Sequence, residues 1–92
     1  MSPQVQSVAL EGVYLFFNSD DHLPPHFHAE RLGEWECRVM FLRRPEEMIE
    51  GIYGNPSGKE RRELLALAEA NRAALLKEWG EKVLVKSPGP AR

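Results

Sequence analysis

The sequence predicts an α+β fold: a small antiparallel sheet of three to four strands, covered on one face by one long C-terminal helix. Three observations predict it. Glu34 to Phe41 alternates, with Trp35, Cys37, Val39 and Phe41 on one side and Glu34, Glu36 and Arg38 on the other, the two-residue period of a half-buried strand. Val8 to Phe17 is rich in β-branched and aromatic residues, which pack well on a pleated surface. Ser57-Gly58-Lys59-Glu60 has the form of a capping box, and Leu64, Leu67, Ala68, Asn71, Leu75 and Trp79 follow on one helical side.

In chain order, residues 1–7 read as a flexible lead-in, 8–86 as a single domain and 87–92 as a flexible tail. Gly12 marks a bulge or bend in the first strand segment. Asn18-Ser19-Asp20-Asp21 supplies turn chemistry, because short polar side chains bond their own backbone. Pro24-Pro25 cannot lie in a central ladder, since proline lacks the N–H, so a second strand begins at His26. Leu32-Gly33 forms a hairpin turn into the alternating third strand. Arg43 to Glu47 is another turn, and Met48 to Tyr53 a weaker strand closed by Gly54-Asn55-Pro56. The helix is expected to run to Trp79, with Gly80 as a left-handed cap, and Lys82 to Lys86 to form a short last strand.

Composition narrows the function classes. Apolar residues make up 42% and charged residues 28%, with a net charge of −2, a balance that does not favour a general nucleic-acid coat protein. Cys37 is the only cysteine, which excludes an intramolecular disulfide and a cysteine-rich zinc module. Its strand carries no feature that would make it a nucleophile. The longest apolar run, Val13 to Phe17, is far shorter than the ~20 residues a membrane span needs. Met1-Ser2-Pro3-Gln4 lacks the basic-then-apolar pattern of a leader. A soluble cytoplasmic protein without a membrane partner is expected.

The chemistry concentrates in Asp21-His22-Leu23-Pro24-Pro25-His26-Phe27-His28, which holds all three histidines of the chain. Residues two apart on a strand share a face, so His26 and His28 point the same way. The stiff diproline bend lets His22 fold back over them. Three imidazoles with an open position suit zinc or nickel, and Asp21 or Asp20 is placed to orient a ring or complete the set. Without a metal, the histidines serve as catalytic candidates, because imidazole titrates near neutral pH and can act as acid and base. Arg38, Arg43 and Arg44, with Arg61 and Arg62 behind them, would then hold phosphate or a partner. For the last two, alternating with Glu60 and Glu63, a solvated helix face is the simpler explanation. A plain packing or partner-binding role for the histidines competes with both readings.

The signature Asp21-His22, Pro24-Pro25-His26-Phe27-His28-Ala29, together with Phe16-Phe17-Asn18, Gly33-Glu34 and Leu75 to Trp79, resembles a family of small bacterial proteins known only as a domain of unknown function, numbered forty-one sixty. The resemblance implies that such proteins are often encoded beside a second small protein, in a layout like that of toxin–antitoxin pairs. It implies no reaction. The readings that follow are a metal- or partner-binding module centred on the histidine turn, a histidine-dependent hydrolase or endoribonuclease toxin, and a structural protein-interaction domain. The adjacent-gene protein is the first candidate partner, and a second copy of the chain is the other, by strand pairing at the sheet edge.

Overall fold

A computed structural model describes residues 3–18 and 22–84. Four strands, β1 (Tyr14–Phe16), β2 (Phe27–Arg31), β3 (Trp35–Val39) and β4 (Ile49–Tyr53), form one antiparallel sheet in the order β1-β2-β3-β4. Helices follow as α1 (Pro45–Met48), α2 (Gly58–Ala70) and α3 (Arg72–Trp79), and a π-helical turn occupies Gly80–Leu84. The α+β class and the meander order are those expected when consecutive strands are joined by short turns.

Alternation decides which face of the sheet is covered. Leu15, Ala29 and Cys37 lie side by side across the strands, as do Phe27, Val39 and Ile49. These residues share one core with Leu64, Ala68, Leu75, Trp79 and Val83 from the helical segments. Trp35, Cys37, Val39 and Phe41 are all buried as the period-two reading of β3 required. Burying Leu64, Leu75 and Trp79 contributes roughly 1.5–3 kcal/mol each, so the helices hold the sheet by its apolar side. Cys37 is fully buried within this core, and burial pushes its thiol up to about 11. It packs and stays protonated.

The first strand is shorter than the composition suggested. Glu11 and Gly12 form a tight turn closed by the Val13 N–H donating to the Leu10 carbonyl at 3.1 Å. Gly12 takes φ +78°, and a Cβ there would stand 2.8 Å from the Arg31 guanidinium. Residues 3–7, read from the sequence as a loose lead-in, lie against β1: Val5 N donates to Leu15 O at 2.9 Å and Phe17 N to Pro3 O at 2.8 Å. Val5 is buried in the core. Its isolated apolar side chain among polar neighbours gave no periodicity from which to read this.

The long helix is present in two pieces. Its start is as expected: Ser57 Oγ accepts from Glu60 N at 3.1 Å, and Glu60 Oε1 accepts from Ser57 N at 2.9 Å. At Asn71 the backbone leaves helical angles, and the side chain donates back to the Leu67 carbonyl at 2.8 Å. Such local bonding competes with the helical ladder. The left-handed cap at Gly80 is corrected by the structure: Gly80 is right-handed, with φ −59° and ψ −39°. The chain therefore winds on as a π-helical turn where a last strand at Lys82 to Lys86 was expected. Val83 joins the core, and Lys82 Nζ donates to the Gln4 carbonyl at 2.9 Å and to Glu78. Residues 85–86 of that expected strand, and the tail 87–92, lie outside the described residues.

Two carboxylates fasten the elements together. Glu60, beyond its capping role, accepts from Arg31 Nε at 2.6 Å and from Trp35 Nε1 at 3.1 Å. Glu78 is buried and accepts from Gln6 N at 2.7 Å, Ser7 N at 2.9 Å, Ser7 Oγ at 2.6 Å and Lys82. The Ser57 amide, aided by Arg31, holds the Glu60 carboxyl below its ordinary value. Burial alone would raise the Glu78 carboxyl, but Lys82, Ser7 and the Gln6 amide outweigh it and leave it lowered. A carboxyl lowered in the folded state stabilises above its unfolded pKa of about 4.3 and loses that contribution as pH falls through the folded value. Urea midpoints should therefore fall from about pH 5 downward, and the fall should shrink in the double variant Glu60→Gln, Glu78→Gln. An undiminished fall in the variant would refute this assignment.

Candidate functional site

The face of the sheet turned away from the helices carries two rows. Phe16, His28, Arg38 and Glu50 lie in register across β1 to β4, and Tyr14, Glu30, Glu36 and Tyr53 form the neighbouring row. His28 stands in the first of these rows, and His26 precedes β2 by one residue, so the two rings meet at its entrance.

Their geometry is well defined. The His28 ring stacks on Phe16 with centroids 4.9 Å apart and planes at 13°. His26 meets His28 edge-on at 5.3 Å, and its other side lies 5.5 Å from Trp79. With Tyr14 stacked on Phe16 at 4.8 Å and Trp79 against Phe17 at 6.3 Å, six rings form one continuous row from the open face to the helix end. His26 Nδ1 lies 2.9 Å from the Pro24 carbonyl. A carbonyl only accepts, so this nitrogen carries a proton. His28 Nδ1 lies 3.5 Å from Glu36 Oε2. Both rings are only 6% exposed.

His22 is placed differently. It is exposed and lines a shallow cup of about 260 Å³ with Leu23, Pro24, His26, Arg38, Met40, Arg43 and Glu50. The diproline bend (its Leu23–Pro24 peptide is cis) leads from His22 on the rim to the buried His26 and His28. The family model for the domain of unknown function DUF4160 matches residues 12–80, from the Gly12 turn to the end of α3. The chain belongs to this family. No curated protein and no solved structure matches it.

In this DUF4160 chain the rings of His26 and His28 lie edge-on, with centroids 5.3 Å apart. His22 lines the cup together with His26. Among the described residues no group of three or more His, Cys, Asp or Glu side chains is placed to hold a metal; Asp21 lies outside the described residues. The arginines separate into two groups. Arg38 and Arg43 line the cup, whereas Arg44 pairs with Glu47 at 2.8 Å and with Glu46 at 3.6 Å and is absent from its lining. Arg43 donates to Glu50 at 2.6 Å. Arg61 and Arg62 are exposed on α2.

Sequence reasoning missed Phe16, Trp79, Met40 and Glu50 as neighbours of the histidines. All four arrive through strand register or helix docking, which no local pattern encodes. Glu36 was legible in part: alternation placed it on the wet face with Arg38, and only the offset between β2 and β3 sets it beside His28. The ring row makes His26 and His28 structural as well as functional candidates. His26→Ala and His28→Ala should each cost about 2–4 kcal/mol, as large-to-small changes in a packed interior do. His22→Ala, on the rim, should stay within about 0.5 kcal/mol. Chemical denaturation checks the split, and equal costs at His22 and His26 would contradict this placement.

Proposed function

We propose that the protein is a partner-binding module whose contact site is the cup at the histidine turn. One observation carries this reading: the bend of the motif and the far side of the sheet converge on a single open cavity. His22, Leu23, Pro24 and His26 supply one wall, and Arg38, Met40, Arg43 and Glu50 supply the other. Leu23 is 68% exposed at its edge, a large apolar side chain next to charges, which is the composition of a contact surface more than of a solvated loop.

Burial of His26 and His28 supports binding over proton transfer. A general acid or base must reach a substrate atom within about 3 Å or through one water; His28 does not line the cup, and His26 lines it as a residue only 6% exposed. Their work in this reading is to fix the shape of the cup wall. The partner this reading takes is the second small protein that the resemblance implies is encoded beside such genes, in a toxin–antitoxin-like arrangement.

Two measurements test the proposal. Mixed with the product of the adjacent gene, the protein should elute as a stoichiometric complex in size-exclusion chromatography. Leu23→Asp should weaken that complex about tenfold or more, the scale of losing one well-packed apolar anchor. Failure of the wild type to form a complex at tens of micromolar would overturn the assignment of this partner. Incubation with zinc or nickel should leave the untagged protein without a stoichiometric metal by elemental analysis. About one equivalent, lost in His26→Ala, would hand the site to the metal reading.

A further inference from the structure

We infer that the cup reads a single carboxylate on an acidic, partly apolar segment of a partner protein, with Arg38 as the residue that receives it. The inference rests on the partner-binding reading above and adds the chemistry of what enters.

Charge placement is the starting point. Arg38 and Glu50 are register partners on β3 and β4, and neighbours of opposite charge in that position ordinarily pair. Here Glu50 is taken by Arg43 at 2.6 Å instead. Arg43 comes from the turn after β3, and that turn is braced from behind. Arg72, the first residue of α3, donates to the Phe41 carbonyl at 2.8 Å and to the Arg43 carbonyl at 2.9 Å. The brace keeps Arg43 on Glu50, so Arg38 has no carboxylate partner among the described residues. The cup is left with a forked donor on one side and the exposed imidazole of His22 on the other. A guanidinium offers two parallel N–H groups that match a carboxylate. Because the brace sets the wall in advance, little ordering accompanies binding.

The surroundings select the source of the anion. The next row of the same face holds Glu30 directly opposite Glu36, and the whole chain carries a net charge of −2. A polyanion such as RNA, laid across the cup, would run its following phosphates toward those carboxylates. One carboxylate from a protein segment reaches Arg38 without that repulsion. Leu23 at 68% exposure, with Pro24 and the buried Met40, forms an apolar wall beside the guanidinium, suited to a leucine or valine flanking the acidic residue.

The test uses the full-length protein and three probes at low salt: a capped hexapeptide of alternating Leu and Glu, its Leu–Gln counterpart, and a hexamer of uridine RNA. Binding is followed by NMR shifts of the Arg38 and His22 side chains and by calorimetry. The Glu peptide should bind at least about tenfold tighter than the Gln peptide, and weaken with added salt as an exposed charge pair does. Arg38→Gln should remove that preference, Arg38→Lys should restore part of it, and Arg44→Gln should leave it unchanged. Equal binding of the two peptides, or indifference to Arg38→Gln in a variant whose circular dichroism is native, overturns the inference. RNA binding tighter than the Glu peptide overturns the protein source. A complex with the adjacent-gene product that depends on Leu23 but not on Arg38 sinks the carboxylate and leaves the partner reading standing. Selective Glu-peptide binding without that complex supports the carboxylate and removes only the named partner.

Discussion

The ring row from Tyr14 through Phe16, His28, His26 and Trp79 to Phe17 is the contact on which the arrangement of the site depends. A sheet roofed on one face has no reason of its own to order a loop at its open end. The rings supply that reason. Phe16 and His28 belong to the open face, Phe17 and Trp79 to the covered one, and His26 stands at the strand entrance between them. Aromatic pairs at such distances add about 0.5–1.5 kcal/mol each beyond area burial. The bend that precedes β2 is therefore held by packing at its far end and by the Pro24 carbonyl at its near end. His22 and Leu23 are displayed because the residues after them are fixed.

The two carboxylates extend the same logic to the rest of the chain. Glu60 bonds the start of α2 to β2 through Arg31 and to β3 through Trp35, and Glu78 bonds the end of α3 to the segment at Gln6 and Ser7. One anchors each end of the helical layer. A shallow core in so short a chain leaves little surplus burial, and these bonds fix how the helices lie where apolar contact alone permits sliding. Trp79 can meet His26 only if α3 is set at the right height, so the clamp at Glu78 is tied to the site as well as to the fold.

Much of this was legible in the residues. β3 was readable because charged and apolar side chains alternate without a break from Glu34 to Val39, and the start of α2 because both halves of a capping box are present. Two-residue spacing placed His26 and His28 on one side of the chain, and the two rings do lie against each other. What escaped was set by contacts distant in the chain. The break at Asn71 comes from one amide bonding back to Leu67, in a segment whose apolar pattern runs straight through. Gly80 looked like a terminator because glycine so often is one, yet the burial of Val83 three residues later draws the chain onward. Val5 offered one apolar side chain and no period. Arg38, Arg43 and Arg44 were alike in sequence, and only the register of Glu50 with the bracing by Arg72 distinguishes them.

That last distinction has a general consequence for how folding and recognition divide the open face. Residues whose groups are satisfied internally, such as Arg43 with Glu50 or Arg31 with Glu60, cannot change partner without loss to the scaffold. An exposed arginine with its natural cross-strand mate already occupied contributes almost nothing to stability, since surface charges rarely do. Glu30 opposite Glu36 even costs a little, because like charges face each other across the ladder; the Tyr53 hydroxyl, donating to Glu30 at 3.4 Å, relieves that only in part. Among the described residues the open face thus holds a cation at the cup without a carboxylate partner and two carboxylates one row away. Folding alone would favour pairing these charges or replacing them, and a surface that meets a partner of opposite sign at each place is the arrangement in which both are satisfied.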